Sequence, residues 1–151
     1  MQLNQTAKEL IARFPLGFVA TVTSDGRPAV SPKGTFLVLD DTTIAFGEIR
    51  SPGTIANLGH LAEAEVNFID QWKRKGIRLR GPVRVVGPGP EFDDLIVRWR
   101  DVWGDLANRI NALVLITAAE IRPLTTPPYD DGATEEEMIA LFKRKFAEIY
   151  P

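Results

Sequence analysis

Arg50, Ser51, Thr54 and Asn57 gather one cation and three small hydrogen-bonding side chains into a short span. They belong to Phe46-Gly47-Glu48-Ile49-Arg50-Ser51-Pro52-Gly53-Thr54-Ile55-Ala56-Asn57-Leu58. This stretch reads as a strand that ends in a glycine-bearing turn and opens a short helix. The first N–H groups of a helix have no intrahelical acceptor, so with a cation beside them they suit an anion. Ser51 also reads as a plain N-cap with Pro52 at the first helical position. Both readings stand on these residues alone.

Two other groups of residues can join that junction if the strands close on one another. Ser31-Pro32-Lys33-Gly34 interrupts a strand with a proline, which marks an edge or a bulge. A bulge would leave backbone groups unpaired and able to read a planar heteroaromatic edge. An edge guarded against aggregation by Pro and Lys is the plainer reading. The other group is Gln71 to Arg80, with five cations in ten residues. Arg78 and Arg80 alternate with Ile77 and Leu79, so both point to the face opposite the aliphatic one. With Lys73 and Lys75 they make either a phosphate or carboxylate clamp or a basic outer face.

Much chemistry is excluded by composition. There is no cysteine, hence no disulfide, thiolate nucleophile or Cys-bound metal. His60 is the only histidine, which leaves no cluster of His ligands and no Ser-His-Asp arrangement within one chain. No metal site is expected, no Walker-type loop is present, and no side chain is assigned as catalytic. The formal charge of −2 gives no electrostatic case for nucleic acid or an anionic membrane. No apolar run approaches the ~18 residues needed to span a bilayer. A soluble, cytoplasmic protein is expected, with residues 1–151 as a single domain.

The elements that must position these groups follow from periodicity. Leu3 to Arg13 reads as a helix ended by Pro15 and Gly17. Strands follow at 17–23 and from Pro28 to Thr35, joined by the hairpin signal Ser24-Asp25-Gly26. A pair at 36–39 and 43–46 precedes the helix at 51–61. Ala64 to Asp70 and Gly76 to Val86 are strands, the second bent at Gly81-Pro82. Glu91 to Asn108 is an amphipathic helix whose Trp99 and Trp103 face the core or a partner. Asn111 to Ile121 is a central strand, Arg122 to Gly132 a Pro-rich tail, and 134–149 a helix opened by a capping box. Six or seven strands joined by hairpins, with helices around them, predict a small antiparallel barrel rather than a doubly wound sheet.

The order of these pieces resembles the pyridoxamine 5′-phosphate oxidase-like family of FMN-binding split barrels, from about Leu16 to Leu124. The resemblance is carried by Gly17-Phe18-Val19-Ala20-Thr21-Val22, Asp25-Gly26-Arg27-Pro28 and Ser31-Pro32-Lys33-Gly34. It continues with Phe46, Arg50-Ser51-Pro52-Gly53-Thr54, Asn57-Leu58, Val66-Asn67-Phe68 and Lys75-Gly76-Ile77-Arg78-Leu79-Arg80-Gly81. The segment from Ala133 to Tyr150 looks like the tail of a small bacterial subgroup.

The resemblance implies a six-stranded antiparallel split β-barrel with flanking helices, forming a homodimer. It implies noncovalent FMN in a groove that both subunits line. Ser31, Pro32, Lys33 and Gly34 would run along the ring, with Lys33 near substrate and flavin. Phe46, Gly47, Arg50, Ser51 and Thr54 would hold the ring edge and the phosphate end, with Asn57 beside them. The oxidases follow the serine with a basic pair, where this chain has Pro52-Gly53, and carry an arginine where it has Pro28. Phosphate contacts then fall to Arg50, Thr54, Lys75 or Arg78. The cluster that recognises pyridoxal phosphate has no match, so the resemblance does not extend to vitamin B6 oxidation.

The expected function is an FMN-dependent oxidoreductase of unassigned substrate, with a donor such as NAD(P)H. The alternatives are a flavin storage or sensing module, a deazaflavin or haem occupant of the same groove, and a purely structural dimerisation domain. Haem is disfavoured because His60 is the only histidine.

Overall fold

The computed structural model describes residues 1–151. Its chain runs α1 (Gln5–Arg13), β1 (Gly17–Val22), β2 (Pro28–Lys33), β3 (Leu37–Val38), β4 (Thr43–Glu48) and α2 (Pro52–His60). It continues with β5 (Glu63–Asp70), β6 (Lys75–Val86), α3 (Pro90–Trp103) and a 3-10 helix at Gly104–Arg109. Next come β7 (Ala112–Thr117), β8 (Glu120–Leu124), a 3-10 turn at Pro127–Tyr129 and α4 (Glu135–Ile149). No helix is long and apolar enough to cross a membrane.

The strands form one curled antiparallel sheet in the order β2-β1-β5-β6-β7-β4-β3, with β8 also paired to β6. This is a split barrel with flanking helices. It has eight strands where periodicity suggested six or seven and the resemblance implied six, because β8 lies largely in the supposed Pro-rich tail. The strand expected at 111–121 is likewise two strands. It breaks at Ala118 and Ala119, whose N–H groups turn away to Thr42 O and Arg80 O.

The break has a cause in β6. Residues 76–80 of β6 pair with β8, and residues 83–86 pair with β7. Gly81 lies at the changeover, where a Cβ would sit 1.7 Å from Thr117 O. Only a residue without a side chain admits that approach. The bend expected at Gly81-Pro82 is therefore the point where the barrel splits.

Helix boundaries shift for local reasons. Helix α1 begins at Gln5 rather than Leu3 because the Asn4 carboxamide oxygen caps it, accepting the Ala7 N–H at 2.8 Å. Thr134 and Glu137 form the expected capping box on α4.

Alternation in β5 turns Ala64, Val66, Phe68 and Asp70 inward, and Ile77 and Leu79 of β6 face them. With Phe36, Phe46 and Ile116 they fill the barrel, and α1 closes one end. A second core lies under α3, where Trp99 is fully buried against Ile110, Leu113 and Leu115. Trp99 is thus an internal residue.

Candidate functional site

Strand β2 pairs only with β1, and its register is unbroken from Gly17↔Lys33 to Val22↔Pro28. Pro32 therefore marks an edge and not a bulge. The outer ladder groups of β2 are free because it is an edge strand. Ser31 and Lys33 share the inward face with Val19 and Gly17, while Pro32 is exposed on the other face.

Past Lys33 the chain is stapled to β4. The Thr35 hydroxyl accepts the Gly47 N–H at 3.0 Å and donates to Gly47 O at 3.1 Å. The Trp99 indole donates to Thr35 O at 2.8 Å. At Gly47 a Cβ would meet Ile110 Cδ1 at 2.4 Å, so β4 lies tight against its neighbour. Beyond β4 the connection is held by Asn111, whose Nδ2 donates to Ile49 O at 2.8 Å and whose N–H donates to Glu48 O at 2.8 Å. These bonds fix the end of β2 against the start of α2.

The result is a buried polar chain. Lys33 is only 8% exposed, and its Nζ donates to Ser51 Oγ at 2.6 Å and Ser31 Oγ at 3.0 Å. The Phe46 ring centroid is 5.9 Å from Nζ. Glu48 is equally buried, and its Oε1 accepts the Ser51 N–H at 2.6 Å. Burial lowers the Lys33 pKa below the ordinary lysine value, and the charge of Glu48 opposes part of that shift. No carboxylate lies in ion-pair contact with this ammonium; its neighbours are two hydroxyls.

Ser51 occupies the N-cap position of α2, yet its side chain makes no cap bond. Its oxygen is turned to Lys33 instead. Pro52 has no N–H, and the Ile55 N–H is taken by Ser51 O. The N–H groups of Gly53 and Thr54 thus lie at the open start of the helix. Thr54 is buried, Arg50 is exposed beside it, and Gly34 and Gly53 border open space. Asn57 Nδ2 donates to Thr21 Oγ1 at 3.0 Å, which ties α2 to β1.

Of the residues singled out from sequence, Ser31, Lys33 and Ser51 are joined directly. Gly34, Phe46 and Gly47 abut them, and Arg50, Thr54 and Asn57 lie on the turn and helix that follow. Phe46 is fully buried, so its ring faces the core and not a groove. Two residues are placed elsewhere. Arg78 projects from the outer face of β6, where Nε lies 3.2 Å from Glu65 Oε1. Lys75 lies at the start of β6, 3.3 Å from Glu135 Oε1 and 4.0 Å above the Tyr129 ring. Arg78 and Arg80 do share the outer face, but Glu65, Glu120 and Arg122 interleave with them. Glu48, Thr21 and Thr35 are the polar residues that sequence reasoning passed over. Glu48 fell beyond the strand expected at 43–46, and nothing local marked it as buried.

Chemically, the junction offers a desolvated ammonium, two hydroxyls, two helix-start N–H groups and an exposed arginine on one edge of the sheet. Such a set suits a polar planar ring joined to an anion. None of these side chains is redox-active and the chain has no cysteine, so any redox step must come from a bound group.

The family match and the solved structures bear on the fold that carries this junction. The profile of the pyridoxamine 5′-phosphate oxidase family matches residues 3–125. Among solved structures, HupZ of Group A Streptococcus is 25% identical, with a TM-score of 0.72 over 82% of this chain and 95% of its own. An FMN-binding protein of Syntrophomonas wolfei is 18% identical, with a TM-score of 0.66 over 80% of this chain and 85% of its own. HutZ, the heme storage protein of Vibrio cholerae, is 18% identical, with a TM-score of 0.66 over 81% of this chain and 94% of its own. No curated protein matches the sequence.

Proposed function

The chain belongs to the pyridoxamine 5′-phosphate oxidase family, and from that premise we propose that it is an FMN-binding flavoprotein acting as an oxidoreductase. The observation that carries this reading is the buried Lys33 ammonium, held by Ser31 and Ser51 with no carboxylate in contact. A desolvated cation bonded only to neutral hydroxyls gains most from an added anionic or electron-rich acceptor.

The residues present fit FMN. Lys33 and Ser31 would meet the polar edge of the ring. Ser51, the N–H groups of Gly53 and Thr54, and Arg50 would take the phosphate end. Bound there, FMN supplies the hydride or electron chemistry that the side chains lack. Lys33 would offer a positive charge to the electron-rich edge of the ring. Glu48 keeps the Ser51 backbone in place, and Thr35 with Trp99 fixes the chain just past Lys33 against β4. The substrate class stays unassigned in this reading, and NAD(P)H is the donor to test first.

We also propose that the flavin groove is completed by a second copy of the chain. Strand β2 is an edge strand, so one wall of the groove is open in a single subunit. The heme storage neighbour raises a haem occupant, but His60 is exposed at the far end of α2.

The test is to purify the protein, add FMN and follow quenching of its fluorescence. Saturable uptake with an equivalent of FMN per chain, followed by NAD(P)H-driven bleaching of the bound flavin, is the expected result. A colourless protein that takes up no FMN overturns the reading. Uptake without bleaching by any reductant leaves a flavin carrier and removes the oxidoreductase half.

A further inference from the structure

A cavity of about 490 Å³ opens between α1 and the start of β6, away from Lys33 and Ser51. This volume lies within the range of roughly 300–1,000 Å³ common for small-molecule sites. Its apolar wall is formed by Leu10, Ile77 and Ile121, and one polar end by Lys73 and Lys75.

The lysine end is filled by the chain itself. Glu135 Oε1 lies 3.3 Å from Lys75 Nζ, and Glu135 Oε2 lies 3.5 Å from Lys73 Nζ. Glu135 is the first residue of α4, and α4 lies outside residues 3–125, the part shared with the family. The helix is fastened to the tip of the β5–β6 hairpin by its aromatic side. Phe146 packs edge-on to Trp72, with ring centroids 5.2 Å apart, and Arg74 lies 3.9 Å above the Phe142 ring. Glu135 is thus a carboxylate brought from outside the barrel to a pair of lysines inside a cavity mouth.

The other charges around the cavity are spoken for or distant from that pair. Asp70 is buried, and its Oδ1 accepts the N–H groups of Trp72 and Lys73 at 2.9 and 3.0 Å, which binds it to the turn. Glu9 and Arg13 both lie on α1, across the cavity. The contact most open to exchange is therefore the one Glu135 makes. Both lysines and Glu135 are partly exposed, and ion pairs of that kind hold weakly. A competing carboxylate attached to an apolar tail would gain the burial that Glu135 cannot, since its side chain belongs to a helix outside.

We propose that this cavity binds an amphipathic monocarboxylate, its head replacing Glu135 between Lys73 and Lys75 and its tail lying along Leu10, Ile77 and Ile121. Binding frees the first turn of α4 from the hairpin, so the helix reports occupancy. The site shares no residue with the Lys33–Ser51 junction and stands whether or not FMN binds there.

The probe is octanoate, titrated into the full chain and followed by calorimetry and by backbone amide shifts. Octanoate should bind and move the amides of Lys73, Lys75, Ile121 and Glu135. Octanol lacks the head and acetate lacks the tail, so each should bind at least about tenfold more weakly. Glu135→Gln removes the competing charge and should tighten octanoate several-fold, whereas Lys75→Gln should weaken it about tenfold. The free proteins' melting curves check that each variant is folded. Octanoate affinity that is unchanged or weaker in Glu135→Gln, octanol binding equal to octanoate, or shifts confined to the Lys33–Ser51 region would each overturn the proposal.

Discussion

Lys33 is a residue whose burial weakens the fold at neutral pH. Its ammonium is taken from water and given two hydroxyls in exchange, so its pKa falls, with Glu48 restoring part of the loss. A lysine with a lowered folded-state pKa binds fewer protons folded than unfolded across the interval between the two values. Stability therefore rises with pH through that interval, up to about 10.4, and the full penalty stands below it. Lys33→Met keeps the buried stem and removes the charge. We expect it to melt no lower than the parent at pH 7, to lose the extra stability the parent gains toward pH 10, and to lose at least about tenfold in FMN affinity. Paired melting curves from pH 7 to 10 and an FMN titration read all three. Ser51 gives a second, sharper separation. Because its hydroxyl holds the Lys33 ammonium and does not cap α2, Ser51→Ala should cost about 1 kcal/mol in the parent and little in a Lys33→Met background. Asn4→Ala removes a real cap from α1 and should cost about 1 kcal/mol in either background. Equal Ser51→Ala losses in both backgrounds by urea unfolding would mean that Ser51 supports the fold independently of Lys33.

At the scale of elements, the sequence exposed most of the fold through its periodicity, and it failed where a long-range contact decides. The Asp25-Gly26 turn was legible because Gly26 needs a positive φ, and it has one, at 83°. The α4 capping box was legible because both partners are three residues apart. Strand β8 was not, since Pro123 and the flanking polar residues read as a tail. It tolerates Pro123 because it pairs only with β6, opposite Ile77. The split of β6 between two partners was likewise invisible locally, although Gly81-Pro82 marked its place. Within the site, Ser31, Lys33 and Ser51 were legible as residue types near turns. The Thr35–Gly47 staple and the burial of Glu48 were not, because each depends on a strand distant in sequence. Gly81 tests the split of β6, and Gly59 of α2 serves as its control. Gly81→Ala drives a Cβ into Thr117 O and should cost about 3 kcal/mol, lowering the melting temperature by roughly 10 °C. Gly59→Ala, in the open on α2, should instead raise stability by about 0.5 kcal/mol or more. A Gly81→Ala protein that melts with the parent would mean that β6 and Thr117 are not in that contact.

At the scale of the whole molecule, the outer face of the sheet bears on the proposed dimer. Val30 is 65% exposed and Phe18 39% exposed on the outward face of adjacent strands β2 and β1, where Phe18 pairs with Pro32 and Val30 with Ala20. Next to them runs a ladder in which Arg78 meets Glu65, and Glu120 meets both Arg80 and Arg122. Exposed apolar side chains flanked by already neutralised charges have the anatomy of an association surface, with an apolar centre and a polar rim. The same strand carries Lys33 at its end, so a copy docked there would also reach the open wall of the proposed flavin groove. Val30→Glu puts an unpaired charge at the centre of that face and touches neither core. We expect it to fold with the parent's circular dichroism, to shift the mass in light scattering from dimer to monomer, and to weaken FMN by at least about tenfold. The outcomes separate two claims. A variant that remains a dimer places the interface on another face of the barrel. A monomer that binds FMN as the parent does shows a flavin site complete within one chain, in which the Lys33–Ser51 junction needs no partner.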